Sequence, residues 1–270
     1  MQPGAQALPC VAWLDDDASV RKLVAMALED LPIELQLCGT VQAAREVLLR
    51  QPVQLLVTDL MLPGENGCML LEELDALTAR SAAGQRPRVV VFSARSDLPA
   101  QADLQRWNVW RVLSKPAPLA SLLACVREAL GLAPADTGGR HPAGPDAAPA
   151  AAPAAPDDAA APTDRRSQAV AAFFGGDAAL FDAFEASCRQ QLPLDIAAAD
   201  RALRAHDAQA LLHLVHNFKG VLRGLGYAAA AAQAAQLERQ LQAGDASSQA
   251  AMAPGWAALR AALLQGPLAD

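Results

Sequence analysis

Five short, nearly continuous apolar runs punctuate the first half of the chain: Val11–Leu14, Ile33–Leu37, Leu55–Thr58, Val89–Phe92 and Val109–Leu113. Runs of this length without polar alternation mark parallel strands covered on both faces. Between them, Ser19–Asp30, Gln42–Arg50, Met69–Thr78, Asp97–Arg106 and Leu119–Leu130 place apolar residues at helical spacing. Five βα units in a row predict a doubly wound α/β domain over residues 8–131.

The pattern then collapses. Residues 132–164 are mostly Ala, Pro, Gly and Asp with no apolar periodicity, the composition of a disordered linker. Such a linker reaches between roughly 30 Å as a coil and about 100 Å as an extended proline chain. From Arg165 to about residue 266 the periodicity is helical throughout, over Ala178–Ala205, Ala208–Leu225, Ala228–Gln242 and Gln249–Leu264. Short connections between them predict an antiparallel bundle of the four-helix type. Pro193 should kink or divide the first of these helices. Asp207 suits an N-cap, while Gly224 with Gly226, and Gly244 with Asp245, mark helix ends.

Composition narrows the function classes. Net charge is −7, and few aromatics are present, which argues against nucleic-acid binding. The five cysteines are scattered with no CxxC pair, as in a reduced cytoplasm. No stretch reaches the roughly 20 apolar residues that span a bilayer, and Met1–Pro9 has neither the basic nor the apolar part of a signal peptide.

Chemistry gathers at the strand ends. The first strand runs into Asp15, Asp16 and Asp17, the third ends at Asp59, the fourth at Ser93 and the fifth at Lys115 before Pro116. Loops at the carboxyl ends of neighbouring strands share one crevice. Two carboxylates about 4 Å apart repel by roughly 4 kcal/mol at an effective dielectric near 20. A hard divalent cation relieves this, and Mg²⁺ suits one or two carboxylates plus waters and a phosphate. Carboxylates, metal, hydroxyl and ammonium together fit phosphoryl transfer to a carboxylate nucleophile.

The segments VAWLDDDASVRKLV, LLVTDLMLPGENG, VVVFSAR and VLSKPAPLASLLACVREAL resemble the response-regulator receiver family, with its flavodoxin-like (βα)5 fold. The resemblance implies that Asp59 is the phosphoacceptor. Asp15, Asp16, Asp59 and the Met61 backbone carbonyl would hold Mg²⁺. Ser93 would be the switch hydroxyl and Lys115 the pairing cation, with a cis bond to Pro116; Asp17 would cap the first helix. Two positions depart from the family: Ser93 replaces a common Thr, and Val112 a common aromatic, for which Trp110 on the same strand face is a substitute. Asp15 and Asp17 also have the DxD spacing of haloacid-dehalogenase-like phosphatases, a rival that leaves Asp59 unexplained.

In the second half, His213 and His216 fall three apart on one helix. Such a pair can chelate a metal, but no carboxylate or Cys lies near them on that face. Lys219 lies one turn from His216, placed to offset phosphate charge without touching the imidazole. Gly220 costs about 1 kcal/mol in mid-helix, which a surface cleared for an approaching partner explains. LLHLVHNFKGVLRGLGYAAAAAQAAQLERQL resembles the histidine-phosphotransfer (HPt) family. That resemblance implies His216 as a second phosphoacceptor, with a neutral, solvent-exposed ring nitrogen, and Lys219 as its helper. Together the halves imply a bacterial two-component phosphorelay protein whose partners are a histidine kinase, other receivers or HPt proteins. The rival functions are a receiver-switched docking module and the detached tail of a hybrid sensor kinase.

Overall fold

The computed structural model describes residues 7–80, 85–94, 98–133, 162–243 and 246–265. The chain divides into two compact units. The expected linker lies almost wholly outside the described residues, as does the helix end expected at Gly244 and Asp245.

The first unit is built on β1 (Cys10–Leu14), β2 (Glu34–Cys38), β3 (Leu55–Thr58), β6 (Arg88–Ser93) and β7 (Val109–Ser114), all paired in parallel in the order β2-β1-β3-β6-β7. The helices of this half of the chain are α1 (Ala18–Ala27), α2 (Val41–Arg50), α3 (Gly67–Arg80), α4 (Gln101–Arg106) and α5 (Leu119–Leu130). Every residue of β1 and β3 is buried, which is why those strands carry no polar alternation. Ala12, Leu14, Leu56, Val89 and Val91 pack on one face with Val41, Ala44, Leu70 and Leu74 of α2 and α3. The Thr40 hydroxyl caps α2 by accepting from the Ala43 N–H at 3.1 Å. Arg45 then ties α2 to α3 through a bidentate pair with Glu73, both contacts 2.9 Å.

The strand order reverses direction at β1 and β3, so a crevice opens beyond their carboxyl ends. The sheet ladder continues one residue past them: Asp15 N–H donates to the Cys38 carbonyl at 3.1 Å and Asp59 N–H to that of Leu14 at 2.8 Å. Lys115 N–H likewise donates to the Ser93 carbonyl at 3.0 Å. A small antiparallel hairpin not expected from the sequence, β4 (Met61–Leu62) with β5 (Glu65–Asn66), follows Asp59 and turns at Gly64, whose φ is +69°. Between β6 and β7, Val89 pairs with Val109 but Val90 with Arg111, leaving Trp110 as a bulge. Its ring lies against the guanidinium groups of Arg88 and Arg111, at 5.4 and 4.4 Å. The bulge breaks the alternation that places Trp110 on the face of Val112.

The second unit is helical: α6 (Pro162–Phe173), α7 (Ala178–Arg204), α8 (Ala208–Gly224), α9 (Ala228–Ala243) and α10 (Ala246–Gln265). Helix α6 begins at Pro162, inside the stretch expected to be linker, and adds a fifth helix to the four expected. The helix α7 is not divided at Pro193; its buried stripe runs through Leu192, Ile196, Ala199 and Ala202, and packing overrides the local penalty. Asp177 and Asp207 cap α7 and α8, accepting from Leu180 and Ala210 N–H groups at 2.9 Å. Gly226, with φ of +81°, ends α8 and lets the Tyr227 N–H reach back to the Leu222 carbonyl at 2.8 Å. Helix α7 packs on α8, α8 on α9, α9 on α10 and α10 back on α7, closing a bundle. Its core holds Phe174, Phe181 and Phe184, and the Phe218 ring stacked on Trp256 at 5.9 Å.

Candidate functional sites

The strand tips bring the expected residues of the first unit together. Carboxylate oxygens of Asp15, Asp16 and Asp59 lie within 4.8 Å of one another, and among the described residues no other group of His, Cys, Asp or Glu gathers this way. Asp15 and Asp59 are each 1% exposed. The Lys115 ammonium donates to Asp15 Oδ2 at 2.6 Å and to Asp59 Oδ2 at 2.5 Å. Asp59 Oδ1 accepts from the Ser93 hydroxyl at 2.8 Å and from the N–H groups of Leu60 and Met61 at 2.6 and 3.1 Å. Burial pushes the Asp59 carboxyl up, but the Lys115 charge and the hydrogen bonds from Lys115, Ser93 and Met61 outweigh it and hold the group below its ordinary range. Lys115 is itself raised: burial works against its charge, and the two aspartates more than compensate.

Two backbone features accompany this arrangement. The Lys115–Pro116 bond is cis, as the resemblance implied. A Cβ at Gly67 would sit 2.3 Å from the Asp59 carbonyl oxygen, so only glycine lets α3 start against the Asp59 loop. Asp17 stands apart from the carboxylate group and accepts from the Ser19 and Val20 N–H groups at 2.8 and 3.3 Å, capping α1. The DxD pairing of the rival phosphatase reading is therefore absent from the cluster.

Among the described residues, three hard-oxygen carboxylates against one ammonium leave an excess of two negative charges, the charge of one divalent cation. The residues present fit such an ion.

The second site differs from its expectation. His216 is 4% exposed and Lys219 is 5% exposed, whereas phosphorylation called for an exposed ring. Both pair with Glu238 on α9, a residue sequence reasoning passed over. Lys219 Nζ donates to Glu238 Oε1 and Oε2 at 2.7 and 2.6 Å, and His216 Nδ1 lies 2.7 Å from Oε1. Lys219 thus touches the histidine's neighbourhood directly, with its Nζ 3.4 Å from Nδ1. A carboxylate only accepts, so Nδ1 carries the proton and a neutral ring keeps its lone pair on Nε2. Burial pushes Glu238 up, but hydrogen bonds from His216 and Lys219, with the Lys219 charge, hold it below the usual carboxylate range. Glu238 lies 22 residues from His216, within the quoted LERQL, and no local spacing rule links the two. His213 Nε2 sits 3.2 Å from the Asn217 amide instead. A Cβ on Gly220 would meet nothing within 4 Å, so packing inside this chain does not require glycine there.

Residues 11–127 match the response regulator receiver domain, and residues 182–266 match the Hpt domain. The transcriptional regulatory protein FixJ of Azorhizobium caulinodans is 30% identical over 126 residues, covering 47% of this chain and 56% of FixJ. The response regulator protein PilR of Pseudomonas aeruginosa is 28% identical over 119 residues, 44% of this chain and 25% of PilR. The chain thus spans about half or less of these curated relatives. Among solved structures, a response regulator receiver protein from Pseudomonas putida is 26% identical with a TM-score of 0.40, covering 46% of this chain and 99% of that one. The chain carries a response regulator receiver domain at residues 11–127 and an Hpt domain at residues 182–266.

Proposed function

We propose that this protein is a two-component phosphorelay intermediate that accepts a phosphoryl group on Asp59 and carries one on His216. The supporting observation is the Asp59 carboxylate, buried between two further aspartates and within hydrogen-bond reach of Lys115 and Ser93. Asp15, Asp16, Asp59 and the Met61 carbonyl would hold Mg²⁺, which supplies charge neutralisation for the transferred group. Among the described residues Asp59 Oδ2 takes one donor and Oδ1 three, so Oδ2 is the nucleophile. Its attack forms a P–O bond as the bond to the donor's leaving group breaks, and Lys115 and Ser93 then face the new phosphoryl oxygens.

In the bundle, Nε2 of His216 attacks an acyl phosphate. The P–N bond forms, the aspartate carboxylate leaves, and Glu238 neutralises the resulting charge on the protonated Nδ1. The burial of His216 means that its surroundings must open before the attack. The domains extend over residues 8–131 and, with α6 included, 162–266. Partners are a histidine kinase and other receiver or HPt proteins, and transfer between Asp59 and His216 runs in cis or through another receiver. The described residues contain no helix long and apolar enough to cross a membrane; with five free cysteines, the proposed location is the cytoplasm.

The test uses the whole chain with a small acyl-phosphate donor and Mg²⁺, followed by a receiver or HPt partner. A relay yields an alkali-labile acyl phosphate at Asp59 and an acid-labile, alkali-stable phosphohistidine at His216, each abolished by its own alanine variant. Labelling at Asp59 with none at His216, and intact partner binding, would replace the relay with a docking role for the bundle.

A further inference from the structure

Beneath the acidic cluster lies a pair of aromatic rings that the proposed phosphoryl chemistry does not use. Trp13, two residues before Asp15 on β1, is 1% exposed, and Phe92, next to Ser93 on β6, is 6% exposed. Their rings meet edge-on, with centroids 5.5 Å apart and planes at 71°. The Lys115 ammonium stands over the Phe92 ring, 5.1 Å from its centroid. Two of the strands that deliver the site's polar groups, β1 and β6, therefore also deliver an aromatic floor under the only ammonium among the described residues of that cluster.

We propose that Phe92, with its tilt fixed by Trp13, is a positioning residue for Lys115 that holds the ammonium over the site while its anionic partners change. This rests on Asp59 being the phosphoacceptor. Lys115 has a flexible four-carbon stem, and holding it in one rotamer costs conformational entropy. In the resting state two aspartates hold it. When Asp59 becomes an acyl phosphate, Oδ2 loses its anionic charge and negative charge moves to the phosphoryl oxygens. The ammonium must then release Oδ2 and turn to the new group. The negative face of the ring attracts the cation throughout that exchange, because its field does not depend on the state of Asp59. The edge of Trp13 keeps the Phe92 face turned toward Lys115.

The experiment compares wild type with Phe92→Leu, Phe92→Tyr and pentafluorophenylalanine at position 92 in the full chain. The fluorinated ring keeps the shape and reverses the quadrupole, so it separates electrostatics from packing if the leucine variant folds poorly. Two readouts are taken: the rate of Asp59 labelling against acyl-phosphate concentration, and the NMR shift of the Lys115 side-chain methylene protons next to the ammonium. The expected result is a roughly three- to tenfold loss in the maximal rate for the leucine and fluorinated variants, with donor KM unchanged and Tyr near wild type. The upfield ring-current shift of Lys115 vanishes in Phe92→Leu and persists in Phe92→Tyr. Wild-type rate in the fluorinated variant, or an unmoved Lys115 shift in Phe92→Leu, overturns the proposal. A wild-type chain that takes no label at Asp59 overturns the phosphoacceptor reading instead, and the shift still reports whether the ring holds Lys115.

Discussion

Both units bury a lysine against carboxylate, yet the two sites balance their charges differently. In the receiver unit Lys115 bridges two of three clustered aspartates, leaving, among the described residues, an excess of negative charge. In the bundle, among the described residues, Lys219 donates to both oxygens of one carboxylate, Glu238, so that charge is matched one to one. Under the proposed relay, the first site would take a divalent cation to shield an anionic oxygen before phosphate approaches, whereas an imidazole nucleophile would need no such shield. Similar parts would then make a metal-dependent acceptor and a metal-independent one.

The largest expected effect is on labelling. Asp59→Asn should reduce acyl-phosphate labelling of the receiver by more than about a hundredfold, since an amide oxygen is no nucleophile at this step; residual label at wild-type rate would put the acceptor elsewhere. Next is Glu238→Ala, which removes the carboxylate that Lys219 grips by both oxygens. Urea unfolding should show the bundle destabilised by about 3–5 kcal/mol, with Glu238→Gln intermediate. The pH dependence sharpens this. The Glu238 pKa is depressed in the folded state, so the unfolded chain binds the extra proton. Its stabilising contribution is present above the unfolded value of about 4.3 and is lost as pH falls through the lower folded value. Glu238→Gln should flatten that acid slope; an unchanged slope would assign it to other carboxylates.

Gly67→Ala should cost about 1–3 kcal/mol and slow Asp59 labelling, because the new methyl strikes the Asp59 carbonyl. Wild-type stability and rate would mean that the loop relaxes freely. The smallest effect carries an unusual sign. Lys115→Met removes the cation that competes for Asp15 and Asp59, so Mg²⁺ affinity by calorimetry should rise about tenfold, equivalent to about 1.4 kcal/mol, although labelling slows. Weaker Mg²⁺ binding would break the charge-balance comparison.

The receiver unit was largely legible before any coordinates. Its strands are buried on both faces, so each appears as an apolar run, and a parallel sheet brings the residues after those runs to one edge. Asp15, Asp16, Asp59, Ser93 and Lys115 followed from that rule, and the geometry gathers them. The bulge at Trp110 was not legible, because one inserted residue leaves the apolar pattern of β7 intact. In the bundle the helices were readable from periodicity and caps. The continuity of α7 through Pro193 was not, since proline's local penalty is visible in sequence and the packing that overrides it is not.

By itself, the order of residues determined the division into a sheet unit and a helical unit, the helix caps at Asp17 and Asp207, and which side chains stand at the strand tips. These are local consequences of periodicity, backbone sterics and hydrogen bonding within a few residues. Only the tertiary structure decided that Glu238 ties down His216 and Lys219, that Gly67 must clear the Asp59 carbonyl, and that Phe92 lies under Lys115. Each of these joins residues about 8 to 23 positions apart through packing between separate elements, and side-chain attraction over a few ångströms leaves no periodic trace along the chain.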